Sequence, residues 1–397
     1  MIFKWIDYNN VQLALDICVA LLIFFVPISP AFPNILMAPA GVLTIFLILK
    51  KKEFKQPVFW FLLICFALSL LFQAFLVGDF LREFDFQRRL IAGVFIFTFV
   101  SYSIRLWLLE KAFLLGLLLA IIYSVVVILY NLFQNLEFTL GIGESVNNTL
   151  ILERPYFAFS TVIGNYLIFR NIRCLNYSKY YYILALIYGS FCFFISPRLG
   201  IALHIILFFY HAYRTIEIIK IKHALLGFFS LTIIAFSLVK NPYLKERLRI
   251  SENWEATFKK IKTYEPRFVI WPCSYKSIKA IGIAGYHSHE QLNKKLVECY
   301  GKHIKNKSKR DYYLEAKFNT HNQYFDALLT GGILSFLLFM AALLWPFIHY
   351  RKYDQLLTVF LLFMAFFMVE NVLIRQTGCF LFGIFAALGY NYDQQKN

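Results

Sequence analysis

One histidine stands where it could take a proton from a substrate. The run Thr320-His321-Asn322-Gln323-Tyr324 opens a long apolar stretch after the most hydrophilic part of the chain. Thr320 and Gln323 fit a capping box, which predicts Thr320 as the N-cap and His321 in the first helical turn. A helix N-terminus disfavours an imidazolium, so His321 would stay neutral, as a general base must. The alternative is an interfacial histidine that only hydrogen-bonds water or lipid headgroups.

Three arginines occur beside apolar stretches, where a charge is costly unless it is paired or functional. Arg198 separates two such stretches, Arg267 opens a predicted helix, and Arg375 lies in the turn before the last stretch. A guanidinium binds phosphate oxygens through a fixed fork of donors and stays charged whatever the pH. Together the three could hold a diphosphate without a metal ion, whereas each alone could simply extend toward lipid phosphates.

Other polar residues give weaker signals. Glu370, at the end of an apolar stretch, could orient Arg375 or His321. No metal site is predicted, because the seven cysteines form no CxxC pair. His287 and His289 are two residues apart, a spacing that does not place them on one helix face.

The composition indicates what must position these residues. Of 397 residues, 59% are hydrophobic and only 16% charged, and the mean hydropathy is +0.60. Soluble domains carry about 25% charged residues, which excludes a water-soluble enzyme, a disordered chain and a secreted disulfide scaffold. One bilayer span needs about 20 apolar residues. The sequence therefore predicts an all-α polytopic membrane protein.

Apolar runs predict about twelve transmembrane helices. Lys and Arg residues concentrate in alternate short loops, which favours cytoplasmic termini and contributes to a net charge of +17. The predicted domains are an N-terminal bundle over 1–239, an outer loop over 240–320 and C-terminal helices over 321–397. The predicted spans are 11–29, 31–49, 57–78, 89–104, 111–134, 155–170, 180–197, 199–213, 224–239, 321–349, 355–372 and 376–391.

The outer loop is expected to be folded and partly helical. It carries 18 Lys and Arg against 8 Asp and Glu, a net charge of +10, and too many aromatic residues for a disordered linker. Helices are predicted over 244–262 and 288–300, the second capped by Ser288 with Gln291. Cys273 and Cys299 would pair only if the loop faced an oxidising compartment, and the sequence leaves this open.

The order of these motifs resembles that of the O-antigen ligase superfamily, which also contains O-antigen polymerases. The similarity is best over 190–335. It comprises an arginine before the loop, an Arg-x-x-x-Trp in it, a glycine turn and a His-Asn opening the next span. Here these motifs are Ser196-Pro197-Arg198, Arg267 through Trp271, Gly282 through Gly285, and His321-Asn322 with Gly331-Gly332-Ile333 downstream. The family turn is usually G-x-G, from which Gly282-Ile283-Ala284-Gly285 departs.

The resemblance implies a GT-C-like glycosyltransferase in the bacterial inner (cytoplasmic) membrane, with its large loop in the periplasm. The donor would be a glycan on undecaprenyl diphosphate and the acceptor a sugar hydroxyl of lipid A–core, as in lipopolysaccharide biosynthesis. His321 would be the catalytic base. Arg198, Arg267 and Arg375 would bind the diphosphate, with Asn322 and Glu370 in support. Transfer would be inverting and metal-independent, because diphosphate leaves readily once its charge is neutralised. Neither a cofactor nor nucleic acid is expected.

Two other functions stay open. A polymerase of the same superfamily would extend a polysaccharide still on its lipid carrier, although one dominant loop favours the ligase. A transporter of the lipid-linked glycan would belong to a different class of protein. It predicts charges deep in several spans and a minimal outer domain, whereas this chain concentrates its polar residues at one face.

Overall fold

The protein is described from a computed structural model. It describes residues 8–54, 56–134, 149–174, 179–195, 197–215, 253, 255–257 and 265–396. The fold is all-helical, with 84% helix and no β-strand in the described parts of the chain. The predicted span 224–239 lies outside the described residues, as does most of the predicted helix 244–262.

Two compact units divide the chain, one formed by residues 1–112 and 266–397 and the other by 113–265. The second half of the loop, from Pro266, belongs to the same unit as the terminal helices. In the first unit the helices are α1 Tyr8–Phe25, α2 Ala31–Lys51, α3 Val58–Leu76, α4 Phe80–Tyr102, α9 Arg267–Ala280, α10 His289–His303, α11 Lys307–Ala316, α12 Gln323–His349, α13 Asp354–Phe367 and α14 Gln376–Lys396. A 3-10 turn, Val372–Ile374, precedes α14. Helix α5, Leu106–Phe133, contains the boundary, and the second unit continues with α6 Arg154–Cys174, α7 Lys179–Ile195 and α8 Arg198–Thr215.

Five of the described helices are long and apolar enough to cross a bilayer, which makes this a multi-pass membrane protein. They are α1, α2, α3, α12 and the segment Leu106–Asn131 of α5. Three shorter apolar helices lie over Tyr180–Ile195, Arg198–Tyr213 and Asp354–Phe367. Helix α4 begins at Phe80, nine residues before the predicted span, so its first turns carry the charged residues that were predicted to form a loop.

Helices α4 and α14 cross at van der Waals distance because glycines face each other there. A Cβ atom on Gly93 would collide with the backbone of Cys379, and one on Gly383 would collide with the backbone of Gly93. This crossing fixes the start of α14, and with it the preceding 3-10 turn, against α4.

Helix α12 is broken where the predicted glycine turn meets it. Gly332 has φ 64° and ψ −164°, a backbone conformation that only glycine adopts readily. The turn replaces the missing helical hydrogen bonds, since Tyr286 N donates to Leu329 O at 2.7 Å and Ile333 N to Ile283 O at 2.9 Å. The glycine turn, Gly282 through Gly285, which departs from the family pattern, therefore has a structural role in this fold. It supplies backbone hydrogen-bond partners at the break in α12.

The described part of the loop has its own apolar core. Its buried members come from α9, α10 and α11 and meet the start of α12; they include Ile270, Leu292, Leu296, Tyr300, Tyr313 and Leu329. Ser288 caps α10 by accepting from Gln291 N at 3.2 Å, which confirms the predicted cap. Folding of residues 266–320 thus follows ordinary burial of apolar side chains.

Candidate active site

His321 lies just outside helix α12, not in its first turn as the sequence predicted. The N-cap is Asn322, whose Oδ1 accepts from Tyr324 N and Phe325 N, both at 3.0 Å. The Thr320 hydroxyl is engaged elsewhere, donating to Asn322 O at 3.0 Å. His321 itself has φ 44°, a left-handed backbone conformation that keeps α12 from extending back to this residue. The predicted capping box is therefore wrong, because Asn322 competes better than Thr320 for the first helical amides.

One carboxylate joins two of the predicted functional side chains. Glu370 Oε2 lies 3.2 Å from His321 Nδ1, and Glu370 Oε1 accepts from Arg267 Nη2 at 3.2 Å. Arg267 Nη2 also donates to the Val369 carbonyl at 2.8 Å. The His321 side chain is 27% exposed and that of Glu370 is 13% exposed. The fold thus brings residues 267, 321 and 370 together at a place where their side chains are partly exposed.

The segments that carry these residues are fastened to each other. Asn322 N donates to Asn371 Oδ1 at 2.6 Å, and Asn322 Nδ2 donates to Met368 O at 3.0 Å. On the other side, Gln323 Oε1 accepts from Leu373 N at 2.8 Å. These hydrogen bonds hold the segment just before α12 against the turn that follows α13. His321 and Glu370 therefore face each other.

Arg198 and Arg375 belong to other elements of the fold. Arg198 is the first residue of α8, in the second unit, where its Nη1 donates to Glu265 Oε2 at 2.8 Å. Arg375 is an exposed residue between the 3-10 turn and α14. Their membership of the site with His321 stays a prediction. Glu370, predicted to orient Arg375 or His321, contacts His321 and also Arg267.

A second histidine, His289, forms a buried cluster that the sequence reasoning missed. Its Nδ1 lies 2.9 Å from Glu83 Oε1, and its Nε2 lies 2.9 Å from Asp326 Oδ2. The His289 amide also donates to Glu83 Oε2 at 3.0 Å. All three side chains are buried. The cluster joins the loop helix α10 to α4 and α12.

The charges of this buried cluster stabilise one another. Burial alone would lower the pKa of His289, but the carboxylates of Glu83 and Asp326 raise it well above its ordinary value of 6.5. Burial would likewise raise the pKa of Glu83, but the adjacent imidazolium lowers it below its ordinary value of 4.5. The cluster is therefore an imidazolium held between two carboxylates.

Asp326 links the buried cluster to the residues beside His321 and Glu370. Its Oδ1 accepts from Asn371 Nδ2 at 2.8 Å, while its Oδ2 faces His289. The Thr320 hydroxyl oxygen accepts from Asn371 Nδ2 at 3.0 Å. A continuous hydrogen-bond path thus runs from His289 through Asp326 to the neighbours of both site residues.

Two loop cysteines form a disulfide. Cys273 and Cys299 are bonded, which settles the pairing that the sequence left open and joins α9 to α10. Their sulfurs and a His303 nitrogen lie within 4.8 Å of one another, the geometry of a metal-ligand set. Because both thiols are consumed by the disulfide, this set offers a metal only one good ligand, the imidazole.

The geometry around Glu370 suits proton transfer next to an anion. A carboxylate can only accept, so a hydrogen bond with it places a proton on His321 Nδ1 and leaves the Nε2 lone pair to accept another. Arg267 supplies a permanent positive charge beside the same carboxylate. This pairing of an oriented imidazole with a guanidinium can deprotonate a hydroxyl while stabilising negative charge nearby.

No known family model and no curated protein matches this chain.

Proposed function

We propose that the protein is a membrane glycosyltransferase of the O-antigen ligase type. It moves a glycan from undecaprenyl diphosphate to a sugar hydroxyl of lipid A–core, at the outer face of the bacterial inner membrane. The order of its motifs resembles that superfamily, and its multi-pass helical fold suits a donor that arrives through the bilayer.

The observation that carries the proposal is the shared carboxylate. Residues 267, 321 and 370 are far apart in sequence, yet Glu370 contacts both His321 and Arg267 at 3.2 Å. An interfacial histidine that only bonded headgroups would need neither an orienting carboxylate nor an adjacent guanidinium. The same arrangement fits transfer to a hydroxyl, which needs a base and a stabilised leaving anion.

In the proposed reaction, His321 Nε2 takes the proton of the acceptor hydroxyl as that oxygen attacks the anomeric carbon. The bond from this carbon to the diphosphate oxygen breaks, and undecaprenyl diphosphate leaves with the electron pair. Arg267 neutralises the developing charge, which is work that a metal ion would otherwise do, and the resemblance gives Arg198 and Arg375 the same role. Direct displacement inverts the anomeric configuration.

The disulfide supports a periplasmic location for the loop. Disulfides persist in oxidising compartments and are rare in the cytosol. The bonded pair Cys273–Cys299 lies in the loop that the Lys and Arg distribution assigns to the outer side. Twelve spans with cytoplasmic termini complete the proposed topology.

Reconstitution tests the proposal. Purified protein is incubated with lipid-linked glycan and candidate acceptors, with and without EDTA, and the products are separated by mass. We expect glycan on lipid A–core and full activity in EDTA. Longer glycan on the carrier would instead identify a polymerase, and uptake without transfer would identify a transporter. A strict divalent-metal requirement would contradict the role given to the arginines.

A conservative variant sharpens this test. Arg267→Lys keeps the charge but loses the fork, so we expect transfer to fall by at least tenfold. Arg82→Lys is the matched control, because Arg82 also pairs with a glutamate, Glu290 at 3.0 Å, but its side chain is 65% exposed. Equal activity of the two variants would count against a specific role for Arg267.

A further inference from the structure

A cavity in the loop is lined by residues of α9, the helix that begins at Arg267. It measures about 290 Å³ and is bounded by one face of α9 and by the connection from α10 to α11. Its α9 wall includes Phe268, Pro272 and Lys276, spaced four residues apart and therefore on one helical face. The opposite wall includes Lys305 and Lys309.

The charged side chains that line this cavity are positive. Three lysines line it, and none of the described residues in its walls is acidic. The adjoining segment 302–310 has five Lys and Arg and no Asp or Glu. Helix α11 begins here with Asn306 as its N-cap and has no acidic residue in its first turn, so its dipole adds to the positive field. An anion would be stabilised in the cavity.

The part of the wall that α9 supplies is apolar except for Lys276, while His303 and Asn306 also line the cavity. Phe268 is 42% exposed, and Pro272, one turn further along α9, is also exposed, so the two give the cavity an apolar surface. Cys273, also in the wall, is tied to α10 by the disulfide, which holds this side of the cavity in place before any ligand arrives. The volume is near the lower end of that of small-molecule sites, about 300 Å³.

The geometry points to a binding site for an anionic monosaccharide unit, with its phosphate on Lys276, Lys305 and Lys309 and its ring on Phe268 and Pro272. Lysine ammonium groups bind phosphate as point charges, and the apolar wall matches the C–H face of a sugar ring. A bare anion would not use that wall, and a long chain would not fit the volume. This assignment does not depend on the proposed transfer reaction.

Calorimetric titration of the full chain tests the site, in nanodiscs of phosphatidylcholine and with glucose 6-phosphate as the probe. The pocket variant replaces Lys276, Lys305 and Lys309 by Gln. The control replaces Lys279, Lys294 and Lys295, three exposed lysines outside the wall, so that the change in net charge is equal. We expect at least tenfold weaker binding in the pocket variant and less than a twofold change in the control.

Further titrations distinguish a sugar phosphate from free phosphate and from a lipid phosphate as the ligand. Glucose should bind at least tenfold more weakly than glucose 6-phosphate, and so should inorganic phosphate. Phe268→Ala should weaken glucose 6-phosphate several-fold and leave phosphate unchanged. The assignment is overturned if the wild type does not bind the probe, if the control loses as much as the pocket variant, or if phosphate binds as tightly as the sugar. Abolition of binding by phosphatidic acid in the nanodisc would instead identify a lipid phosphate site.

Discussion

The first unit contains two histidines beside carboxylates. They differ in burial and in the number of ring nitrogens that contact a carboxylate. His289 is fully enclosed between Glu83 and Asp326, with both ring nitrogens engaged. His321 meets one carboxylate through Nδ1 only and keeps about a quarter of its side chain exposed. Burial with two acidic partners favours the charged form of His289, whereas His321 has only one such partner and stays partly exposed.

This difference separates a structural role for His289 from the catalytic role proposed for His321. A doubly paired buried imidazolium has no lone pair to offer and is costly to disturb. A singly paired, accessible imidazole is oriented without being consumed, which is the arrangement that general bases share. Substitution of one histidine should therefore change activity, and substitution of the other should change stability.

The largest expected effect is on the rate. His321→Ala should lower transfer by about 10²–10⁴-fold, because a sugar hydroxyl is a poor nucleophile without a base. Its melting temperature should stay close to that of the wild type. Initial rates and thermal unfolding of purified protein check both expectations. His349→Ala, at the far end of the same helix, is the control, and a wild-type rate in His321→Ala would exclude the assigned base.

The second effect is on stability. His289→Ala should lower the free energy of unfolding by about 3–5 kcal/mol, because it leaves two buried carboxylates without their counter-charge. Reversible unfolding in mixed micelles measures the loss. The control is His303→Ala in the last turn of the same helix, where the histidine is exposed. If the two variants were equally stable, the buried cluster would not fasten the loop.

A smaller change in rate is expected at the shared carboxylate. Glu370→Gln removes the charge and leaves one acceptor for the two donors, so kcat should fall by about 10- to 100-fold, the worth of one charged hydrogen bond. Glu290→Gln is the matched control, since Glu290 also pairs with an arginine but at the surface. We expect less than a twofold change there, and a similar change at both glutamates would remove Glu370 from the site.

Local features of this fold could be predicted from sequence because their causes are local. Apolar runs predicted most of the described helices, and Ser288 with Gln291 predicted the start of α10. Thr320 and Asn322 are both good capping residues two positions apart, and propensity alone could not choose between them. Which of the two residues becomes the N-cap depends on Asn371. Its side chain hydrogen-bonds the backbone amide of Asn322, 49 positions earlier in the sequence, and the hydroxyl of Thr320, 51 positions earlier.

The buried cluster could not be assembled from sequence for a similar reason. Glu83 and His289 are 206 residues apart, so no periodic pattern relates them. One signal was present: Asp326 lies in the first turn of an otherwise apolar membrane helix, where an ionisable side chain calls for a partner. The contact between Glu370 and Arg267, 103 residues apart, was likewise beyond local reasoning.

The smallest effect is a pH dependence of stability, which separates the two histidines without a measurement of activity. Folding raises the pKa of His289, so its contribution to stability is complete below the unfolded value of about 6.5 and is lost as pH rises through the folded value. The difference in melting temperature between the wild type and His289→Gln should therefore shrink as the pH becomes alkaline. The difference between the wild type and His321→Gln should stay small throughout. A constant difference for His289→Gln would mean that the buried ring is not charged, and the contrast between the two histidines would then rest on burial alone.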